Sequence, residues 1–203
     1  MLFALATGVL PCRAGNKPCL VAIDAGHSES AQGTVSSRGL GEFVFNSNIA
    51  QLLLKKIRTD GIAEAFLIED AGKSLSLRQR TEMANRRHAD FLISIHHDSV
   101  QPSYLLRWTY GDAEHRYSDR FHGFSLFVST KNTRSDESFE LARYIGSQLL
   151  ELNFTPTLHH AEKIRGENHK LADTKRGIYI FDELGHPKDR CHPSGSPGVR
   201  RHS

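Results

Sequence analysis

Three short segments of the sequence carry side chains that bind metal ions in proteins. They are IDAGH at residues 23–27, SSRGLGE at residues 36–42 and SIHHDS at residues 94–99. Within them, His27, Glu42 and His96 offer two imidazoles and one carboxylate, the ligand set of a catalytic zinc ion that keeps a fourth position for water. Taken singly, a histidine after a strand can be structural, and a glutamate at a helix start can serve the helix dipole. The combination favours a metal site without excluding those simpler roles.

The elements around these segments must bring the three residues together. Apolar runs and helical periodicity predict strands at 20–24, 65–68, 91–95 and 123–129 and helices at 42–59, 76–87 and 136–152. This alternation predicts the α/β class: a single domain with a twisted mixed, mostly parallel sheet flanked by helices. Because loops at the carboxyl ends of such strands line the functional crevice, His27 and His96 should leave the sheet at one edge, near Glu42. The polar segment 109–120 is predicted to be a loop.

Composition limits the class of protein. Of the 203 residues, 38% are hydrophobic and 24% charged, proportions typical of one soluble globular domain rather than a disordered chain. A formal charge of +3 suits an anionic polymer as partner without requiring one, and no basic run indicates nucleic acid. After the N-terminus, no segment approaches the ~20 apolar residues of a membrane span. The three cysteines form no CxxC pair, which argues against a cysteine metal site.

The two ends of the chain differ from the region between them. Residues 1–14 are apolar up to Leu10 and then present Cys12 and Ala14 as small residues, which is typical of the end of a signal peptide, although no charged region precedes it. A ragged first strand is the alternative. Residues 185–203 have no periodicity and no core positions, so we expect a disordered tail after a catalytic domain at residues 19–184.

The metal-binding segments belong to a longer series of motifs. The series is IDAGH (23–27), SSRGLGEFVFN (36–46), LRQRTEMAN (77–85), ADFLISIHHDS (89–99), GFSLFVS (123–129) and HHAEKIRGENHKLAD (159–173). In order and spacing, roughly residues 20–184 resemble the zinc-dependent N-acetylmuramoyl-L-alanine amidases, the third amidase class of peptidoglycan hydrolases. The resemblance implies an enzyme that cleaves the amide between the muramoyl lactyl group and L-alanine of the stem peptide. It also implies that His27, Glu42 and His96 bind Zn²⁺.

The same resemblance implies a location and further residue roles. Such an enzyme is exported and acts on peptidoglycan in the periplasm or the cell wall. A second glutamate, which is not a zinc ligand, takes a proton from the attacking water and delivers it to the leaving amine. Asp24 and Asp98 are candidates to orient the ligand imidazoles, or equally to cap loops and turns. We expect His97 to lie behind the ligand set or at the surface, and Arg80 to fix its helix to the sheet.

The C-terminal region departs from the family pattern. The family keeps its catalytic glutamate in an apolar strand of the type PAVLLExG, and no such strand occurs here. Glu183 precedes the expected position, so no catalytic residue is assigned. One synonymous coding sequence for residues 185–203, read one base later, encodes VILKTAAIPAVLLESGVI, which contains the missing segment, and we therefore hypothesise a frameshift near Leu184. The alternative to an active enzyme is an inactive peptidoglycan-binding or decaying homologue.

Overall fold

The computed structural model describes residues 18–68 and 74–181, in which strands and helices alternate as far as the third strand. The expected signal peptide, the tail and Glu183 lie outside the described residues. Contacts divide the chain into two compact units, one ending at Gly123 and the other beginning at Phe124. Each unit combines helices with strands, so the predicted α/β class is confirmed. No helix in the described ranges has the length and apolar character needed to cross a bilayer.

The first unit is built on a three-stranded parallel sheet with the order β2-β1-β3. The strands are β1 (Leu20–Ala25), β2 (Glu64–Leu67) and β3 (Phe91–Ile95). As the central strand, β1 buries Ala22 and Ile23 completely, which explains its unbroken apolar run. The register pairs Ala25 with Ile95, so β1 and β3 end side by side. His27 and His96 therefore leave the sheet at the same edge, as the sequence predicts.

Two helices cover the two faces of this sheet. Helix α1 (Glu42–Asp60) packs Ala50 and Ile57 against one face, and helix α2 (Leu77–Arg86) packs Ala84 against the other. Gly61 ends α1 in the left-handed conformation, with its N–H bonded to the Ile57 carbonyl. Ser76 starts α2 with a capping box to Gln79. Both helices lie close to their predicted bounds because these end signals are local in the sequence.

The polar segment that was expected to be a loop forms a β-hairpin instead. Strands β4 (Leu106–Tyr110) and β5 (Ala113–Tyr117) pair antiparallel around a turn at Gly111, whose φ is +61°. Trp108 and Tyr110 stack on one face of the hairpin, and Trp108 Nε1 donates to the Ser37 carbonyl at 2.8 Å. The loop prediction was wrong because it weighed polarity over the alternation of apolar and polar side chains.

The second unit has a mixed three-stranded sheet with the order β6-β8-β7 and one long helix. The elements are β6 (Leu126–Val128), α3 (Ser135–Glu151), β7 (Lys170–Asp173) and β8 (Ile178–Ile180). Helix α3 packs Ala142 against Val128 and Ile178. Strand β6 is shorter than predicted, and β7 and β8 were not predicted. The described strands thus pair in three sheets, one parallel, one a hairpin and one mixed.

Candidate metal centre

The structure brings the three predicted ligand residues together in the first unit. His27 Nε2 lies 3.1 Å from Glu42 Oε2, and His96 Nδ1 lies 3.1 Å from Glu42 Oε1. One donor atom from each residue falls within 4.8 Å of the other two. The two imidazole rings meet edge to face, with centroids 5.2 Å apart. The carboxylate therefore sits between two imidazole nitrogens, one at each of its oxygens.

The Glu42 carboxylate is buried and held from both sides. Its Oε2 accepts from the backbone N–H and the hydroxyl of Thr34, and its Oε1 accepts from the Asn46 amide and the His97 backbone N–H. Burial works to raise the pKa of Glu42. Hydrogen bonds from Asn46 and two backbone amides, with the nearby His27 ring, outweigh it and hold the pKa below its ordinary value. An ionised, fixed carboxylate results.

Asn46 is part of the candidate site, and the sequence prediction missed it. It is fully buried, and its amide nitrogen donates to the Gly26 carbonyl at 3.0 Å and to Glu42 at 3.2 Å. Its amide oxygen therefore faces His97 Nδ1, 2.7 Å away, and that nitrogen must be the donor. The available signal was its position four residues after Glu42, on the same face of α1. His97 was expected behind the ligands or at the surface; its ring is exposed yet anchored to the site through Asn46.

Two glycines leave the room that the ligand side chains occupy. A Cβ on Gly26 would lie 2.2 Å from the His96 ring, closer than atoms can approach. A Cβ on Gly33 would lie 2.6 Å from the His27 ring and 2.7 Å from Glu42 Oε2. The backbone thus forms a cradle against the ligand set, as expected where a chain must approach a site closely.

The donor set fits a zinc ion. A tetrahedral ion with bonds of about 2.0–2.1 Å separates its ligand atoms by roughly 3.3–3.4 Å. Each imidazole nitrogen lies 3.1 Å from its nearest Glu42 oxygen, slightly less than that value, and one donor atom from each of the three residues lies within 4.8 Å of the other two. The three side chains can therefore converge on one ion after side-chain adjustment. Two imidazoles and one carboxylate also match zinc in donor type, and the partly exposed rings leave one side of the set open.

The aspartates proposed to orient the imidazoles differ in their surroundings. Asp24 is buried and pairs with Arg80, and it also accepts from the Ser94 hydroxyl at 2.5 Å. Asp98 accepts from the backbone N–H of Ser99 at 2.7 Å, which is a loop-capping contact. The buried Asp24–Arg80 pair contacts the site through the backbone of His27, because Arg80 Nη2 also donates to the His27 carbonyl at 2.8 Å.

Comparisons with known proteins agree with this fold and these motifs. A Buchnera aphidicola (subsp. Acyrthosiphon pisum, strain APS) protein, provisionally named an N-acetylmuramoyl-L-alanine amidase, is 36% identical over 84 residues, which are 41% of this chain and 35% of that protein. The chain thus matches little more than a third of that curated relative's length.

Two solved structures share the fold. The N-acetylmuramoyl-L-alanine amidase from Clostridium difficile 630 superposes with a TM-score of 0.54 at 24% identity, covering 66% of this chain and 64% of that chain. The N-acetylmuramyl-L-alanine amidase Ami1 from Mycobacterium smegmatis gives a TM-score of 0.57 at 16% identity, covering 83% and 75%. The family model described as N-acetylmuramoyl-L-alanine amidase matches residues 21–186, which include the whole candidate metal centre. The chain therefore belongs to the N-acetylmuramoyl-L-alanine amidase family.

Proposed function

We propose that this protein is a zinc-dependent N-acetylmuramoyl-L-alanine amidase that hydrolyses the amide between the muramoyl lactyl group and L-alanine of peptidoglycan. In this proposal His27, Glu42 and His96 bind the zinc ion. The observation that supports it is the convergence of two imidazole nitrogens on the two oxygens of one buried carboxylate, within a chain of this family. Since peptidoglycan lies outside the cytoplasmic membrane, the proposal includes export to the periplasm or the cell wall.

The chemistry of the site follows from what each residue holds. Zinc bound there would polarise the scissile carbonyl and lower the pKa of its water toward ~7. The Glu42 carboxyl is ionised at neutral pH and supplies a negative charge, because its hydrogen bonds hold its pKa low. Asn46 and Thr34 keep that carboxylate from rotating away from the two imidazoles. A carboxylate held in this way would reduce the reorganisation that metal binding requires.

A proton donor for the leaving amine is still needed. A positioned acid and base typically contributes ~10²–10⁴-fold to such a reaction. We assign no residue among the described ranges to that role, and Glu183 lies outside them. The proposed frameshift would restore a glutamate, in the segment VILKTAAIPAVLLESGVI, where codons 198 and 199 now encode Gly198 and Val199. On this view the 203-residue chain binds zinc but hydrolyses peptidoglycan slowly.

The experiment that tests the function is dye release from labelled, purified peptidoglycan, with and without a chelator. We expect chelator-sensitive release, weak for this chain and stronger for a version with the shifted frame restored. Mass spectrometry of the products should find intact stem peptides that begin with L-alanine, because a peptidase acting within the stem would give shorter fragments. Changing the restored glutamate to alanine should remove the gain. Peptidoglycan binding without release in both versions would favour the inactive homologue, and full activity of this chain that Glu183→Ala abolishes would refute the frameshift.

A further inference from the structure

Arg80 is a buried cation whose hydrogen bonds converge on the backbone next to the metal centre. Only 6% of its surface is exposed, so its charge and its donors must be satisfied within the protein. Its Nε donates to the Leu75 carbonyl at 3.2 Å, and its Nη1 donates to the Ala25 carbonyl at 3.1 Å. Its Nη2 donates to the His27 carbonyl at 2.8 Å. One guanidinium thus binds three carbonyls, two of which flank Gly26.

Asp24 fixes the plane of this guanidinium. It is almost completely buried in β1 and forms an ion pair with Arg80 Nη1. The second Asp24 oxygen accepts from the Ser94 hydroxyl in β3, at 2.5 Å. Because Asp24 lies in β1 and bonds to Ser94 in β3, the guanidinium is oriented by the sheet as well as by α2. Arg80 can therefore do more than join the helix to the sheet, the role expected from the sequence.

His27 has a backbone conformation that needs such support. Its φ is +71°, in the left-handed region that residues with a Cβ rarely adopt. Strain of this kind persists where surrounding contacts over-determine it, and it concentrates at functional sites. Relaxation to a negative φ would rotate the residue and carry its ring away from Glu42. The His27 carbonyl, held by Arg80, is the group that would have to move.

We propose that Arg80 is a positioning residue for zinc binding: through the His27 carbonyl, it holds the strained backbone that directs the His27 ring at Glu42. This inference rests on the proposed zinc site. It assigns to Arg80, with Asp24 as its anchor, a contribution to metal affinity in addition to fold stability. The planar guanidinium can span carbonyls on both sides of Gly26, whereas a lysine ammonium can pair with Asp24 but cannot reach all of these acceptors at once.

The test compares Arg80→Lys with two control variants of the full chain. Arg78→Lys changes an exposed arginine of the same helix, which pairs only with Glu82 in the described contacts. Ile57→Ala weakens the core of the same unit without touching the site. Zinc affinity is measured by competition with a chromophoric chelator, the cobalt-substituted visible spectrum reports the ligand number, and urea unfolding in EDTA reports stability without metal. The double variant Asp24→Asn, Arg80→Met removes both buried charges together. It leaves no buried charge unpaired, so it tests the inference even if Arg80→Lys fails to fold.

We expect Arg80→Lys and the double variant to bind zinc about 10–100-fold more weakly, the usual effect of losing a residue that orients a ligand. Their cobalt spectra should lose intensity, as one imidazole drops out of a tetrahedral set. Arg78→Lys and Ile57→Ala should keep the affinity of the unmodified chain. Affinity and spectrum unchanged in the Arg80 variants, or reduced equally in Ile57→Ala, would overturn the inference and leave the proposed function standing. An unmodified chain that binds no zinc would overturn both.

Discussion

Both units of the molecule bury a glutamate against histidine, but they do so in opposite surroundings. In the first unit, Glu42 is buried while the His27 and His96 side chains stay 34% and 44% exposed. In the second unit, His160 Nδ1 lies 2.9 Å from Glu167, and both side chains are under a tenth exposed. The first arrangement is therefore accessible to solvent through its two imidazoles. The same residue pair is thus a candidate reaction centre in one unit and a structural contact in the other.

The difference originates in the local structure that carries each histidine. His27 and His96 follow the ends of adjacent parallel strands, where the chain turns away from the core. His160 lies in the short 3-10 helix His159–Ala161 and packs edge to face on Phe127 and Tyr179. Phe127 and Tyr179 in turn stack, with ring centroids 5.1 Å apart. Aromatic packing encloses the second pair, whereas a sheet edge leaves the first pair accessible.

The largest contrast should come from removing one histidine of each pair. His96→Ala deletes one of the three proposed zinc ligands, so we expect its zinc content to fall close to zero after dialysis, and His27→Ala to behave alike. His160→Ala should retain zinc but lose about 1–3 kcal/mol of stability, since the Glu167 carboxylate loses a buried partner. Elemental analysis and urea unfolding in EDTA give the two quantities. Near-stoichiometric zinc in both His27→Ala and His96→Ala would contradict the ligand assignment.

A smaller effect should follow from filling the cradle with one methyl group. Gly33→Ala would place its Cβ against His27 and Glu42, so we expect zinc to bind about 10–100-fold more weakly. Gly111→Ala is the matched control: its φ of +61° imposes comparable strain, but no atom lies within 4 Å of the added Cβ. Competition with a chelator measures both variants. Equal losses of affinity would mean that backbone strain, rather than contact with the ligands, is responsible.

Much of the first unit could be predicted because its signals are local. The apolar run of β1, the glycine that ends α1 and the serine that caps α2 each act within a few residues. Strands β7 and β8 are four and three residues long, too short for a period to stand out from the polar residues around them. The hairpin was missed for a related reason, since three charged side chains on its strands, Arg107, Glu114 and Arg116, hid the alternation of its aromatic face.

The candidate site likewise contains residues that the sequence could predict and residues that it could not. The convergence of His27, Glu42 and His96 could be predicted from residue type and from the rule that parallel strands end at one edge. Asn46 could have been found from its i+4 spacing to Glu42. Arg80 could not: its contact with the His27 carbonyl spans 53 residues, and only the packing of α2 on the sheet creates it. The motif LRQRTEMAN contains Arg80 but does not reveal which carbonyl its guanidinium binds.

The smallest expected effect is the ionisation at alkaline pH of Tyr179, which packs against His160 of the enclosed pair. Burial, with the nearby Glu167 charge as a second cause, raises the pKa of Tyr179 from 10.0 to about 12. A group whose pKa is raised in the folded state contributes stability that is fully present below the unfolded value of 10.0 and is lost as pH rises through the folded value. We therefore expect Tyr179 ionisation to remove about 1 kcal/mol of stability between pH 9 and 11.

Tyr179→Phe isolates this contribution. The variant loses the hydrogen bond from the Tyr179 hydroxyl to the Thr157 carbonyl, at 2.9 Å, so it should be less stable at pH 9 by about 1 kcal/mol. Because it has no group to ionise, the stability difference between the two proteins should shrink as pH rises to 11. Tyr144→Phe, at an exposed position of α3, controls for loss of a hydroxyl elsewhere in the same unit. Urea unfolding at pH 9, 10 and 11 measures this difference. A difference that stays constant would mean that the Tyr179 hydroxyl is not enclosed beside Glu167, which would weaken the contrast between the enclosed second unit and the open metal centre.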